Sequence, residues 1–202
     1  RDRRQRQMCI RDSNKAGSED CLYLDIRAPH GKRDNLPVMF WIHGGGNTSG
    51  HKDFYNFSEL VKRKNVIVVS TNYRLGPLGF FTHPAIQDFH SGTDKTSNFG
   101  ILDIVLALKW VNENIASFGG DPNNITIFGE SAGGHNVLSL LVAQQAKGLF
   151  HKAISQSGYT KSSSLQNAYK SENFNEEGIS DSWTVLNTVS YTHLRAHETC
   201  TN

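Results

Sequence analysis

Ile125-Thr126-Ile127-Phe128-Gly129-Glu130-Ser131-Ala132-Gly133 is the stretch that decides the fold. Ile125 to Phe128 reads as a short apolar strand, and the apolar run Val137 to Val142 falls inside a helix predicted from about Ala132 to Gln145. A Gly-x-Ser-x-Gly turn is wedged between them. A serine at so sharp a strand-to-helix turn is forced into strained backbone geometry with its hydroxyl projecting, and glycines on both sides remove side chains that would clash there. The helix N-terminus behind it offers free N–H groups and a positive dipole end, both favouring a developing oxyanion. A bare pentapeptide of this kind is as readily a Gly/Ser turn. The strand before it and the helix after it make Ser131 a candidate nucleophile.

Upstream, Val38 to Ile42 is an apolar strand that runs directly into His43-Gly44-Gly45-Gly46. A glycine run lets backbone N–H groups approach a substrate oxygen without obstruction, so this loop is a candidate second donor for the same oxyanion. A phosphate-binding loop is excluded, because no Gly-Lys-Ser/Thr follows the glycines. Strands are also predicted at Leu22 to Ile26, Val66 to Ser70 and Ala153 to Gln156, the second of these apolar enough to be buried on both faces. From Ile101 the period changes, with Ile104, Val105, Leu108 and Val111 forming a helical stripe that ends at Gly119-Gly120; Asp121-Pro122-Asn123-Asn124 reads as a turn. Alternating strands and helices predict an α/β layer with a mostly parallel central sheet flanked by helices. After Gly158 the pattern weakens into a polar, acidic stretch that reads as a loop excursion.

The chain has 202 residues, 37% hydrophobic, with an overall charge of +2, the composition of a globular domain with a sizeable core. No apolar stretch approaches the roughly 20 residues of a membrane-spanning helix. The basic first residues invite a nucleic-acid reading that their coding sequence removes. Gln7-Met8-Cys9-Ile10-Arg11-Asp12 can be encoded by CAG ATG TGT ATA AGA GAC, whose reverse complement translates as Val-Ser-Tyr-Thr-His-Leu, the sequence of residues 189 to 194. Two ends coding for opposite strands of one DNA segment point to a translated sequencing adapter, expected at residues 1–13 and 189–202, with a partial α/β domain at 14–188. Residues 1–13 carry five arginines against two aspartates and residues 189–202 one arginine against one glutamate, so the segment between them has a net charge of −1. No nucleic-acid partner is expected.

Phe118 through Gly133, Glu19 through Ile26, Asn72-Tyr73-Arg74-Leu75-Gly76 and Ile154-Ser155-Gln156-Ser157-Gly158 together resemble the signature blocks of the type-B carboxylesterase and cholinesterase-like family. The resemblance departs at Arg27, where an apolar residue is usual, and at Asn47, where many members carry an aromatic. It implies the N-terminal part of an α/β-hydrolase fold, Ser131 as nucleophile, and an oxyanion hole from the N–H groups of Gly45, Gly46 and Ala132. The implied reaction is hydrolysis of a small-molecule carboxylic ester through a Ser131 acyl-enzyme, with no metal and no cofactor. A non-catalytic, neuroligin-like adhesion protein on the same fold is the alternative, and the elbow serine argues against it.

The general base is the missing part. In this fold acid and histidine follow the serine, yet His135 lies one turn along its helix, His151 precedes a strand, and His193 and His197 lie in the adapter-like tail. His43 is expected to order the glycine loop, and Glu130 to be structural. The isolated chain is therefore expected to be inactive. With the suspect ends set aside Cys21 stands alone: it resembles a half-cystine of secreted family members, whose partner lies upstream of this segment, and reads equally as a buried free cysteine; a Cys9–Cys21 bridge is not expected. Asn47, Asn56 and Asn124 begin Asn-x-Ser/Thr triplets that matter only if the source protein is secreted; compartment and oligomeric state are left open.

Overall fold

A computed structural model of the chain describes residues 20–31, 34–83, 88 and 91–160. They fall in two units, and the larger, drawn from residues 1–80 and 98–160, carries the sheet and the site. The described part of the smaller unit lies within residues 81–97 and holds a short 3-10 turn, Gly92–Lys95.

Five strands form one sheet: β1 Leu24–Arg27, β2 Leu36–Ile42, β3 Ile67–Thr71, β4 Gly120–Glu130 and β5 Lys152–Gln156, in the order β1-β3-β2-β4-β5. β3, β2, β4 and β5 are parallel, and only β1 runs antiparallel, against β3. The helices are α1 Ser58–Lys64, α2 Gly76–Phe80, α3 Phe99–Asn114 and α4 Ala132–Val142.

Strand alternation sorts the apolar side chains onto two faces. Val38, Phe40, Ile42, Ile67, Val69, Ile125 and Ile127 pack with Ile104, Leu108 and Val111 of α3 and Val137 and Leu140 of α4 into the main core. Trp41, Val68 and Phe128 face the other way and meet Val61 of α1. This second face is only partly covered, leaving a groove of 470 Å³ lined by Met39, Trp41, Tyr55, Phe57, Phe128 and Glu130 among others.

The predicted turn at Asp121-Pro122-Asn123-Asn124 lies inside β4. Leu36 pairs with Gly120 while Val38 pairs with Ile125, so the four residues between are thrown out as a bulge, closed by Asn123 N–H donating to Asp121 Oδ1 at 2.8 Å. Pro37 sits opposite, where a missing N–H removes no ladder bond. α3 starts two residues earlier than its stripe and closes through a 3-10 turn, Ile115–Phe118, onto Gly119 at φ 82°. α4 stops at Val142, before a short 3-10 turn at Gln144–Ala146.

Arg27, unusual against the family pattern, lies beside two oxygen acceptors: its guanidinium donates to Ser70 Oγ at 3.3 Å and to Asp53 Oδ1 at 3.4 Å. Cys21 is disulfide-bonded, which corrects the expectation that it lacks a bridging partner; that partner lies outside the described residues. The polar stretch after residue 160 and both adapter-like ends also lie outside them. No helix among the described residues is long and apolar enough to cross a membrane.

Candidate active site

β4 delivers Ser131 and α4 begins at the next residue. Ser131 has φ 55° and ψ −121°, outside the regions an L-residue adopts freely. It is held there from both sides. Its N–H donates to Gln156 O of β5 at 2.8 Å, and its C=O accepts from His135 N at 2.9 Å as the first bond of α4. The turn is tight enough that a Cβ at Gly133 would overlap Ile42 O and come within 2.7 Å of His43 O. The end of β2 therefore presses directly on the first turn of α4. Gly44 closes the same seam, since a Cβ there would stand 2.7 Å from Glu130 O and 3.2 Å from the Ser131 Cβ. Gly44 was not singled out in the sequence, though it is the glycine of the loop that touches the elbow.

The loop after β2 carries Gly45, Gly46 and Asn47 at φ 103°, 64° and 57°. Two acceptor bonds aim its amides. The His43 ring lies with Nδ1 2.8 Å from Gly44 O, so Nδ1 carries the proton and donates. In a trans peptide the C=O and the following N–H point oppositely, so this bond turns the Gly45 N–H away from the ring. Likewise Gly45 O accepts from Thr48 N at 3.1 Å and Ser49 N at 3.0 Å, which turns the Gly46 N–H out of that turn. Ala132 is the first residue of α4, where an N–H has no helical partner. Among the described residues no backbone hydrogen bond occupies the N–H of Gly45, Gly46 or Ala132. Gly44, the residue before the first two of these, is the loop residue that lies against Ser131.

His43 is buried, 1% exposed, and stacks on Tyr73 with ring centroids 4.4 Å apart. Burial lowers its pKa, the Gly44 carbonyl pulls it back up, and the neighbouring His51 lowers it again. Its Nε2 is buried without a hydrogen-bond partner. The ring is neutral and serves as an orienting donor.

Sequence reasoning missed a buried polar group that ties this loop to α4. Asn136 is fully buried, and its side-chain Nδ2 donates to Asn47 Oδ1 at 2.9 Å, with a return contact of 3.4 Å from Asn47 Nδ2. Tyr73, also buried, donates its hydroxyl to His43 O at 2.7 Å and lies 3.2 Å from Asn47 Oδ1; burial raises its pKa well above the usual phenol range. The backbone O of Asn47 accepts from Gly76 N at 2.6 Å. An asparagine among the leucines and valines of a core helix is the signal that could have exposed this group. In the folded chain the Asn47 side chain is engaged in these bonds and only half-exposed. Asn56 is exposed. Asn124 Oδ1 accepts from Lys152 Nζ at 2.7 Å.

No histidine among the described residues pairs with Ser131. His135 stacks on Tyr159 at 4.2 Å and its Nδ1 hydrogen-bonds Tyr159 O. His151 brackets Ile125, donating its N–H to Ile125 O at 2.8 Å and accepting from Ile125 N at its Nδ1 at 3.2 Å. Nor do the described residues contain a His/Cys/Asp/Glu cluster fit for a metal.

A model of the carboxylesterase family matches residues 3–187. The para-nitrobenzyl esterase of Bacillus subtilis (strain 168) is 48% identical over 153 residues, covering 75% of this chain and 30% of that protein. Liver carboxylesterase 1 of Oryctolagus cuniculus is 53% identical over 150 residues, covering 73% of this chain and 25% of that protein. Among solved structures, a PNB esterase superposes with a TM-score of 0.71 at 46% identity, covering 79% of this chain and 33% of the other. The chain therefore spans about a quarter to a third of the length of these relatives.

Proposed function

We propose that this chain, which belongs to the carboxylesterase family, supplies the nucleophile and the oxyanion donors of a carboxylic-ester hydrolase. Its mostly parallel sheet flanked by helices is the α/β-hydrolase arrangement. The single observation that carries the reading is the strained Ser131, φ 55° and ψ −121°, at the junction of β4 and α4.

The Ser131 hydroxyl attacks the ester carbonyl, and the charge that builds on its oxygen is received by the N–H groups of Gly45, Gly46 and Ala132. Collapse of the tetrahedral intermediate releases the alcohol, and water then cleaves the acyl-enzyme. The proton of the hydroxyl needs a general base, and no described histidine hydrogen-bonds Ser131, so the base is assigned to the rest of the full-length protein. The 202-residue chain alone then gives no burst of acylation; robust turnover by it would show that a base has been overlooked.

The test is hydrolysis of a short-chain aryl ester by the full-length protein, with Ser131→Ala beside it. Loss of the nucleophile lowers kcat by about a million-fold, the scale measured for such a serine in subtilisin. Unaffected turnover would exclude Ser131.

The complementary codons at residues 7–12 and 189–194 support reading residues 1–13 and 189–202 as translated adapter, against which stands the family match over residues 3–13. The family match stops at residue 187, two residues before the second of these stretches, while its other end begins at residue 3. Both stretches are absent from the transcript on this reading, and finding them unchanged in genomic DNA would overturn it.

A further inference from the structure

We infer that the Asn47–Asn136 side-chain pair is a positioning clamp: it fixes the glycine-loop donors Gly45 and Gly46 in register with Ala132 and Ser131. The inference rests on the esterase reading and adds to it the residues that set donor geometry.

The bonds at Gly44 O and Gly45 O aim the loop's amides, and Asn47 ties the far end of the glycine run to α4. Three consecutive residues sit at positive φ, a conformation that asparagine tolerates and most side chains resist. Gly45 and Gly46 are exposed and carry no side chain to pack. The residue immediately after them carries the ties to other elements of the fold. Asn47 is tied by its backbone O to Gly76 N at 2.6 Å, and by its side chain to Asn136 at 2.9 Å, with the Tyr73 hydroxyl at 3.2 Å.

The location of Asn136 gives the pair its reach. It lies in the second turn of α4, five residues past Ser131, on the helix whose first N–H is the third donor. The clamp therefore joins the loop donors and the elbow donor through one helix. Asn47 and Asn136 are 89 residues apart in sequence, and their side chains join the glycine loop to α4. A purely structural polar pair in a core is replaceable by apolar groups of similar shape at little cost in stability. A positioning pair is not, because an oxyanion donor displaced by about 1 Å loses much of its effect.

The test uses the full-length enzyme, with Ser131 first titrated by a fluorescent fluorophosphonate. Asn136→Leu and the double change Asn47→Leu with Asn136→Leu are compared with wild type. In both variants kcat falls about 10- to 100-fold with KM unchanged, and a trifluoromethyl ketone, whose adduct carries an oxyanion, loses affinity by the same factor as kcat/KM. The double variant regains melting temperature without regaining kcat, which a packing role would not produce. If the buried changes prevent folding, Asn47→Gly, which keeps the positive φ and removes only the side chain from a half-buried loop, gives the same kcat loss. Wild-type kcat and inhibitor affinity in any folded variant overturn the clamp. Failure of the wild-type enzyme to take the fluorophosphonate on Ser131 overturns the esterase reading beneath it, whereas a labelled wild type with undiminished variants refutes the clamp alone.

Discussion

Residues 129–134 and residues 43–50 both border Ser131, and they are shaped by opposite means. The elbow is defined by side chains that are missing: Gly133 admits Ile42 O and His43 O, and Gly134 lets Gln156 O within 2.6 Å of where its Cβ would stand. The glycine loop is held by side chains, its own His43 and, from elsewhere, Tyr73 and Asn136. Backbone-to-backbone packing has no slack, so the elbow is either formed or not. Side-chain bonds can be lost singly, so the loop degrades by steps.

Gly133→Ala breaks the contrast most severely. A methyl group there overlaps Ile42 O, a main-chain atom of a central strand that cannot move aside. The expected loss is about 3 kcal/mol or more of stability in the full-length protein, measured by urea denaturation. A variant as stable as wild type would show that the elbow has slack after all.

Gly45→Ala is expected to leave the fold standing and damage the reaction. The residue is exposed, so the core is untouched, but φ 103° is hostile to alanine and a Cβ would collide with Ser49 O. The loop must reopen, removing a donor, and kcat falls about 10²-fold with the melting temperature little changed. Equal kcat would remove Gly45 from the donor set.

The mildest effect is one of pH, and it belongs to the loop alone. Burial lowers the pKa of His43, so the folded state binds fewer protons there than the unfolded chain. Its contribution is fully present above the unfolded histidine value, about 6.5, and is lost as pH falls from there towards the lowered folded value. In His43→Gln this part of the acid-side decline in melting temperature disappears. An unchanged profile would mean the ring is not the group being titrated.

How much of this was legible in the sequence follows the same division. Contacts local in sequence leave local marks, and the Gly129-Glu130-Ser131-Ala132-Gly133 turn, its strand and its helix stand where the pattern puts them. The strands at Leu36–Ile42 and Ile67–Thr71 were equally plain, because burial on both faces demands an unbroken apolar run. α1 gave no signal, since Ser58–Lys64 buries only Val61 and spans too few residues for a stripe. The bulge at Asp121–Asn124 read as a turn because its local chemistry is a turn's; only the pairing of Leu36 with Gly120 reveals strand beyond it. Asn136, Tyr73 and Gly44 were missed as partners of the loop because their significance lies in residues dozens of positions away.

Among the described residues β5 pairs with β4 along one side, and all five of its residues are exposed. Its other side presents a row of main-chain groups with no strand partner among the described residues, and Ile154 is exposed on its face. Such a row is a template on which the same strand of a second molecule can add, and then a third. Lys152, charged and at the strand's entry, is the residue that repels such stacking. Preparations of the segment by itself will therefore be limited by insolubility before they are limited by unfolding, and the remedy lies in more charge along Lys152–Gln156 rather than in a better core.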